Sequence, residues 1–151
     1  MSIYAVRQKL EKLVAFRLLL TYNKLTCWVK IYKEGAALKI LFDPKVSILQ
    51  DHHKLRKKHG DELAKQIQKR LVHLEAYENV SEVFKGTGHP EALKGNFQGY
   101  ISLRLNANVR LMLIPILPPN YGTHEFMAAN EIEIKGVIDY HGESKNKWII
   151  P

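Results

Sequence analysis

The chain has 151 residues, of which 46% are hydrophobic and 25% are charged, and its formal net charge is +8. This composition excludes a disordered chain, and the length suits one domain that buries about two-thirds of its unfolded surface. A single cysteine, Cys27, excludes an intrachain disulfide, and no apolar run is long enough for a signal peptide or a membrane span, so we expect a cytoplasmic protein.

The positive charge is concentrated in the first 110 residues. Residues 1–40 carry eight Lys and Arg against two Glu, and residues 41–110 carry twelve against eight acids. Residues 111–151 reverse the balance, with three basic residues against five acidic ones. A basic protein of this kind is compatible with a nucleic acid or another anionic partner.

The N-terminal segment begins with apolar residues at helical spacing and basic residues between them. This pattern predicts an amphipathic helix that ends near Tyr22. The run TCWVKIY that follows is rich in β-branched and aromatic residues and predicts a strand. A turn at Lys33–Gly35 is compatible with a hairpin to a second strand, ALKILF.

Two helices are predicted next. Asp43 followed by Pro44 is typical of a helix start, because Asp accepts hydrogen bonds from first-turn amides and Pro lacks the amide hydrogen that would go unused. The first helix should stop near Gly60. Asp61 should cap a second helix that ends at Asn79, with an apolar stripe of Leu63, Ile67, Leu71, Leu74 and Tyr77. We expect an antiparallel helical hairpin.

The basic residues of the helical hairpin mostly avoid its apolar stripe. They are compatible with contacts to a phosphate backbone or with an ordinary solvated helix face: Arg56, Lys57, Lys58, Lys65, Lys69 and Arg70. Adjacent His52 and His53 do not predict a metal site, because neighbouring helical residues point about 100° apart.

Two further strand candidates, GYISLRL and NVRLMLIP, are separated by an Asn-Ala pair that suits a tight hairpin. In the first, alternation predicts an apolar core face and a polar platform that includes Ser102 and Arg104. The second strand is apolar on both faces, so it should be central in the sheet. The Pro-rich stretch PILPPNYGTHEFMAAN has no periodicity and predicts an irregular excursion.

Arg110 is the exception on the central strand. A guanidinium in an otherwise apolar strand is costly unless it reaches solvent, a carboxylate or a phosphate. Pairing with an acid such as Asp139 and a phosphate clamp are the two interpretations.

The last strand candidate, EIEIKGVIDYHG, ends with an acid, a phenol and an imidazole at Asp139, Tyr140 and His141. Positioned groups of these types exchange protons near neutral pH, although a polar strand end in contact with solvent has the same appearance. Strand alternation places Asp139 and His141 on one face and Tyr140 on the other.

The segment HPEALKGNFQGYISLRLNANVRLMLIP, followed by IEIKGVIDYHG and preceded by KKHGDELAKQIQKRL, resembles the HigB or "killer protein" branch of the RelE-type bacterial toxins. The shared pieces are an LKG after a His-containing loop, a Gly followed by an apolar strand, a strand that begins with Arg, and a terminal DYH. The resemblance covers roughly residues 38–142.

The resemblance implies an α+β fold: an N-terminal strand, two helices and a curved antiparallel sheet of three or more strands, in a domain at 37–151 with a basic extension at 1–36. It implies an endoribonuclease, without metal or cofactor, that cuts messenger RNA in the ribosomal A site by attack of the 2′-hydroxyl on phosphorus. The implied partners are ribosomal RNA and a helix-turn-helix, HigA-like antitoxin. DNA would be contacted only through the antitoxin complex, and a membrane not at all.

The resemblance also implies which residues carry the chemistry. It assigns catalysis to Lys94, Arg110, Asp139, Tyr140 and His141. His141, or Asp139 through it, would transfer protons, Lys94 and Arg110 would stabilise phosphorane-like charge, and Tyr140 would stack on a base or donate its proton.

We expect further RNA contacts from Arg104, the basic residues of the helical hairpin and His89. His89 is a looser match, because Glu91 and Ala92 separate His89-Pro90 from the LKG, and Asn96 stands where relatives often have an acid. Two alternatives stay open. One is a ParE-like toxin directed at gyrase, and the other is an antitoxin-binding module that acts in promoter autoregulation.

Overall fold

A computed structural model describes residues 37–140 and 147–151 of the chain. The predicted N-terminal helix, the strand TCWVKIY, the turn at Lys33–Gly35 and His141 lie outside the described residues. A domain boundary after residue 36 therefore stays a prediction.

The described residues contain a six-stranded mixed sheet. Its strands are β1 (Lys39–Phe42), β2 (Glu91–Ala92), β3 (Ile101–Arg104), β4 (Val109–Pro115), β5 (Glu131–Asp139) and β6 (Lys147–Ile150). The order is β1-β5-β4-β3-β2, and β6 pairs with the end of β5. β1 runs parallel to β5, and the other pairs are antiparallel. This confirms the α+β fold class, the first strand and the central position of β4.

Along the chain, the helices lie between the strands of the sheet. They are a 3-10 helix (Pro44–Gln50), α1 (His52–His59), α2 (Asp61–Glu75), α3 (Val80–Lys85) and α4 (Thr123–Ala128). The last of these lies inside the stretch that we expected to be irregular, so that expectation is wrong. The short helix α3 is a second element that the sequence pattern did not predict.

The first predicted helix is divided in two. Asp43 begins it as expected, since its carboxylate accepts a 3.0 Å hydrogen bond from the Lys45 amide. The backbone leaves helical geometry at Val46, and Asp51 then caps α1 by accepting a 3.0 Å hydrogen bond from the amide of Lys54. The second cap offers the amides of α1 their own acceptor, which lets the chain change direction there.

The second predicted helix differs from expectation at both ends. Gly60 is the N-cap of α2, at φ +90°, and Asp61 lies inside the first turn, where it forms an ion pair with Lys65. The helix ends at Glu75 instead of Asn79. Asn79 begins α3, because its side chain accepts a 3.1 Å hydrogen bond from the amide of Glu82. Asn is favoured both at the position that follows a helix and at the position that begins one.

The sheet buries one of its faces against the helices. Ile67, Leu71 and Leu74 of α2 belong to one buried apolar cluster with alternate residues of the strands. We call this side of the sheet the helix face, and its strand residues are Ile101, Leu103, Leu111, Leu113, Ile134 and Val137. Each fully buried Leu or Ile stabilises the fold by about 1.5–3 kcal/mol relative to an exposed one, so most of the fold's stability arises here.

The opposite side of the sheet, which we call the second face, carries the alternate residues. They are Ser102, Arg104, Arg110, Met112, Gly136 and Ile138, which are cross-strand neighbours of one another. Ser102, Met112 and Ile138 are fully buried, so the expected polar platform is wrong for Ser102. Two arginines, Arg104 and Arg110, lie at one edge of the second face.

Candidate active site at the edge of the second face

Two arginines occupy directly opposed positions on β3 and β4. Arg104 and Arg110 are register partners, and Arg110 is also the register partner of Ile138 on β5. Directly opposed residues of an antiparallel pair project to the same face with Cβ atoms about 4.5–5.5 Å apart. Like charges at that separation destabilise a sheet, so the pair needs an anion or solvent to be favourable.

Arg104 is held in place by its backbone. Its amide donates to the carbonyl of Gly88 at 2.6 Å, and its carbonyl accepts a 2.8 Å hydrogen bond from Nε of Arg70. Its own Nε is buried and has no hydrogen-bond partner within the described part of the chain. A buried guanidinium nitrogen without a partner is costly, and an anion on the second face would satisfy it.

Arg110 lies over the ring of Tyr140. The guanidinium carbon is 5.7 Å from the ring centroid, and Nη1 donates a 3.2 Å hydrogen bond to the carbonyl of Asn106. The Tyr140 amide donates to the carbonyl of Asn108 at 2.9 Å, which continues the ladder between β4 and β5 by one residue. The cation–π contact orients the guanidinium while its remaining N–H groups stay available.

The phenol of Tyr140 is kept protonated by its surroundings. Burial raises its pKa above the ordinary value of 10, the nearby Arg110 guanidinium lowers it, and the carboxylate of Glu91 raises it further. The net direction is upward, so Tyr140 is a neutral phenol at physiological pH. It can donate a hydrogen bond or a proton, and it can stack on a base.

Glu91 is a residue that sequence reasoning missed. It lies on the two-residue strand β2, opposite Ser102 and therefore on the second face. Its carboxylate also raises the pKa of the Tyr140 phenol. In the sequence Glu91 was only part of an altered loop, and nothing in the local pattern marks a two-residue strand. The pairing of β2 with β3 brings it to the site.

Asp139 lies on the other side of the strand. Its register partners are Val109 on β4 and Lys147 on β6, and Val109 belongs to the buried cluster of the helix face. Arg110 and Asp139 therefore project to opposite faces, which argues against the interpretation that they pair with each other. The alternation predicted for Asp139 and Tyr140 is confirmed by the register.

The remaining predicted site residues of the loop before β3 are exposed. Lys94 precedes the 3-10 turn Gly95–Phe97, and the ring of Phe97 lies over the second face. His89 has a left-handed backbone, with φ +46°, and is exposed at the start of the segment that leads to β2. His141 follows Tyr140 directly but lies outside the described residues.

The basic residues of the helices occupy the opposite side of the sheet. Arg56 and Lys65 both form ion pairs with Asp61, and Lys57, Lys58 and Lys69 are exposed. Arg70 is engaged inside the fold through the carbonyl of Arg104 and the hydroxyl of Thr87, at 2.8 Å and 3.2 Å. A nucleic acid bound at Arg110 and Tyr140 would lie across the sheet from these helices.

Within residues 37–140 and 147–151, no group of three or more His, Cys, Asp and Glu side chains is arranged to hold a metal ion. No helix in the same residues has the length and hydropathy to cross a membrane.

No family model and no curated protein matches the chain. It is similar to solved structures of YoeB from Staphylococcus aureus, with 26% identity over 71% of this chain and 100% of YoeB. The TM-scores are 0.42 for a complex of YoeB with YefM and 0.44 for a YoeB dimer. A YoeB/ParE toxin from Agrobacterium tumefaciens is 19% identical over 69% of this chain and 99% of its own, with a TM-score of 0.44. Likeness of this degree does not by itself assign a family or an activity.

Proposed function

We propose that the chain is the toxin of a type II toxin-antitoxin system and acts as a ribosome-dependent endoribonuclease on messenger RNA. The observation that carries the proposal is the opposed pair Arg104 and Arg110, next to the neutral phenol of Tyr140 and within electrostatic reach of Glu91. Two cations, a proton donor and a carboxylate are the groups that cleavage of a phosphodiester without metal requires. The motif resemblance to RelE-type toxins supports the same reaction.

The reaction divides between the described groups as follows. The Glu91 carboxylate removes the proton of a ribose 2′-hydroxyl, and the 2′-oxygen then attacks the adjacent phosphorus. The bond from phosphorus to the 5′-oxygen breaks, leaving a 2′,3′-cyclic phosphate and a 5′-hydroxyl. Tyr140 donates the proton that the 5′-oxygen takes up, and His141 is the competing candidate for this donation.

The arginine pair stabilises the transition state in this scheme. Negative charge grows on the non-bridging oxygens of the phosphorane-like species, and Arg104 and Arg110 both project to that side of the sheet. Removal of one such donor typically costs about 3 kcal/mol of transition-state stabilisation. Lys94 adds a third cation from the loop before β3. Asp139 lies on the other face, so its role in this scheme is to position His141.

Partners follow from the same proposal. We place the chain in the HigB branch, with a HigA-like antitoxin that blocks the second face, and with the ribosomal A site as the place where the message is presented. YefM accompanies the YoeB structures to which the chain is similar. The exposed cations Lys57, Lys58 and Lys69 would contact ribosomal RNA from the helix side.

A reconstituted translation assay tests the activity. Purified protein is added to ribosomes stalled on a defined message, and cleavage ends are mapped by primer extension. We expect cuts within the A-site codon and 2′,3′-cyclic phosphate ends. Arg110→Ala, Tyr140→Phe and Glu91→Gln should each lose most of the activity, whereas Lys85→Ala, an exposed cation on α3, serves as the matched control.

The result that overturns the nuclease proposal is intact message at every codon with the wild-type protein. Growth arrest with altered plasmid supercoiling would then support a ParE-like action on gyrase. Repression of the chain's own promoter together with an antitoxin, without growth arrest, would support a binding module instead.

A further inference from the structure

A groove of about 260 Å³ crosses the second face beside the proposed active site. Its lining residues come from four separate parts of the chain and include two aromatic and three charged side chains: Asp43, Lys45, Tyr100, Lys135, Trp148 and Pro151. Its volume is below the usual range for drug-sized ligands, about 300–1,000 Å³, and suits a single planar ring system with its substituents.

Trp148 forms one wall of the groove because Gly136 leaves room for it. Trp148 is the register partner of Ile138, so its side chain projects to the second face. A Cβ on Gly136 would lie 2.8 Å from the indole ring and in direct conflict with the carbonyl of Ile150. Gly136 also has φ +145°, a conformation that other residues rarely adopt. The indole therefore lies across the β5 backbone.

An aromatic cluster holds this wall in place. The ring of Phe97 meets Trp148 edge-on at 6.2 Å between centroids, and it meets Tyr100 edge-on at 5.6 Å. Such contacts are favourable beyond the area they bury and leave the faces of the outer rings open. Trp148 and Tyr100 are both only partly buried. Tyr100 and Trp148 of this cluster both line the groove.

The floor of the groove is an ion network. The ammonium group of Lys135 lies 2.9 Å from a carboxylate oxygen of Asp43 and 3.0 Å from one of Glu133. These three side chains are mostly buried, whereas Lys45 is exposed at the rim. The floor thus offers hydrogen-bond acceptors and donors close together, with a free cation above it.

We propose that this groove is a subsite for one base of a single-stranded RNA, next to the bond that is cut. The proposal rests on the proposed function, since it concerns the same substrate. Arg110 and Trp148 flank Ile138 on either side in the sheet, which places their backbones about 10 Å apart at a strand spacing of about 4.8 Å. A neighbouring nucleotide of the same strand reaches across that distance.

The chemistry of the groove favours a nucleobase over an acidic peptide. A base stacks on Trp148 or Tyr100 through its π-face, and its edge carries donors and acceptors that match the pair Asp43 and Lys135. Lys45 at the rim suits the attached phosphate. An acidic peptide would bring carboxylates against Asp43 and Glu133, which like-charge repulsion disfavours.

Fluorescence of Trp148 tests the proposal directly. The chain has two tryptophans, so Trp28→Phe leaves Trp148 as the reporter in the full-length protein. The probe is a short single-stranded RNA with 2′-O-methyl groups, which cannot be cut by 2′-hydroxyl attack. We expect saturable quenching of Trp148 emission, and a 2′-O-methyl duplex of the same length should quench much less.

Two variants measure the contribution of the groove. With labelled probe and fluorescence anisotropy, Trp148→Leu should weaken binding by roughly 5- to 100-fold, the range for loss of one base stack. Lys45→Ala should weaken it several-fold and reduce its salt dependence. Lys45 is exposed, so this variant leaves the core intact even if Trp148→Leu fails to fold. Lys85→Ala on α3, an exposed cation with no proposed RNA contact, is the matched control.

The outcomes separate this proposal from the proposed function. Absence of quenching, together with unchanged affinity in Lys45→Ala, overturns the subsite even if the protein cuts messages. Saturable quenching in a wild-type protein that cuts no RNA supports the subsite and counts against the nuclease. Loss of antitoxin binding in Lys45→Ala, with RNA affinity unchanged, overturns the RNA subsite in favour of a protein ligand.

Discussion

The two faces of the sheet use arginine in different ways. On the helix side, Arg70 donates to the carbonyl of Arg104 and to the hydroxyl of Thr87. On the second face, Arg104 has a buried Nε without a hydrogen-bond partner in the described residues, and its register partner is another cation, Arg110. The hydrogen bonds of Arg70 join a helix, a loop and a strand. The opposed pair Arg104 and Arg110 is unfavourable unless an anion or solvent offsets the two like charges.

This difference separates stability from function. The helix face contains the continuous apolar cluster, and Arg70, His73 and Thr87 beside it are hydrogen-bonded. The edge of the second face concentrates charge that the fold does not neutralise. Sites of this kind lower stability and are retained where a ligand or a transition state supplies the missing charge. Variants of the two faces should therefore change different measurements.

The largest effect should come from Arg110→Ala. We expect the rate of message cleavage to fall by roughly 100- to 1,000-fold, because a donor to the developing negative charge is lost. The melting temperature should change by no more than about 3 °C, since removal of one cation also relieves the repulsion with Arg104. Single-turnover cleavage and thermal unfolding measure the two quantities. A matching loss in Lys85→Ala, an exposed cation on α3, would contradict the assignment.

Tyr140→Phe should have the next largest effect. It keeps the ring that contacts Arg110 and removes only the hydroxyl, so we expect a loss of roughly 10- to 100-fold if the phenol donates a proton. Its pKa is raised by burial, so the hydroxyl stays protonated between pH 7 and 9. Activity limited by Tyr140 should not decline between pH 7 and 9. Full activity in Tyr140→Phe would leave the ring with a stacking role alone.

Arg70→Ala should act on stability instead. It removes hydrogen bonds to the Arg104 carbonyl and to Thr87, and hydrogen bonds of charged groups contribute about 1.5–3 kcal/mol to the free energy of unfolding. Denaturant unfolding measures the loss. Lys69→Ala, the exposed neighbour, should change the same quantity by less than about 0.5 kcal/mol. Equal effects of the two substitutions would show that the contacts of Arg70 are not important for stability.

The smallest effect should be an acid sensitivity of the helix side. Burial lowers the pKa of His59 and His73, with the charges of Lys58 and of Arg70 and Lys69 acting in the same direction. Because the pKa of each imidazole is lowered in the folded state, its contribution to stability is fully present above the unfolded-state pKa of 6.5. This contribution is lost as the pH falls through the lower folded-state pKa. We therefore expect the melting temperature to fall from pH 7 to pH 5.

A double variant tests this origin. His59→Gln with His73→Gln removes both imidazoles, so the melting temperature should depend less on pH over the same interval, although its value at pH 7 will be lower. An unchanged dependence would assign the acid sensitivity to other groups. Asp43 and Asp51 also have lowered pKa values, but their contribution is lost only below about pH 3.8.

Local patterns in the sequence predicted much of the fold. The helix start at Asp43-Pro44, the break at Gly60, the hairpin of β3 and β4 and the central position of β4 all follow from capping, glycine and alternation. These signals act over a few residues, so they can be interpreted without the rest of the chain. The helix α4 gave no such signal, because a six-residue helix has too little periodicity.

The site was predicted only in part. Arg110 and Tyr140 were identified from a costly charge in an apolar strand and from a resemblance at the strand end, and the structure brings them into contact. The opposed position of Arg104 and the arrival of Glu91 depend on register between strands, and the groove at Trp148 depends on Gly136. None of these is encoded in the spacing of neighbouring residues.

The sequence by itself thus determined the first strand, the helix signals at Asp43 and Gly60, the hairpin of β3 and β4, and which residue types are costly where they stand. It also determined that Asp139 and Tyr140 face opposite ways, because alternation is a property of one strand. Only the tertiary structure decided which face each strand residue shares with distant ones. A shift of one residue in register moves a side chain to the other face. The presence of Arg104, Arg110, Tyr140 and Glu91 on one face is therefore a property of the assembled sheet.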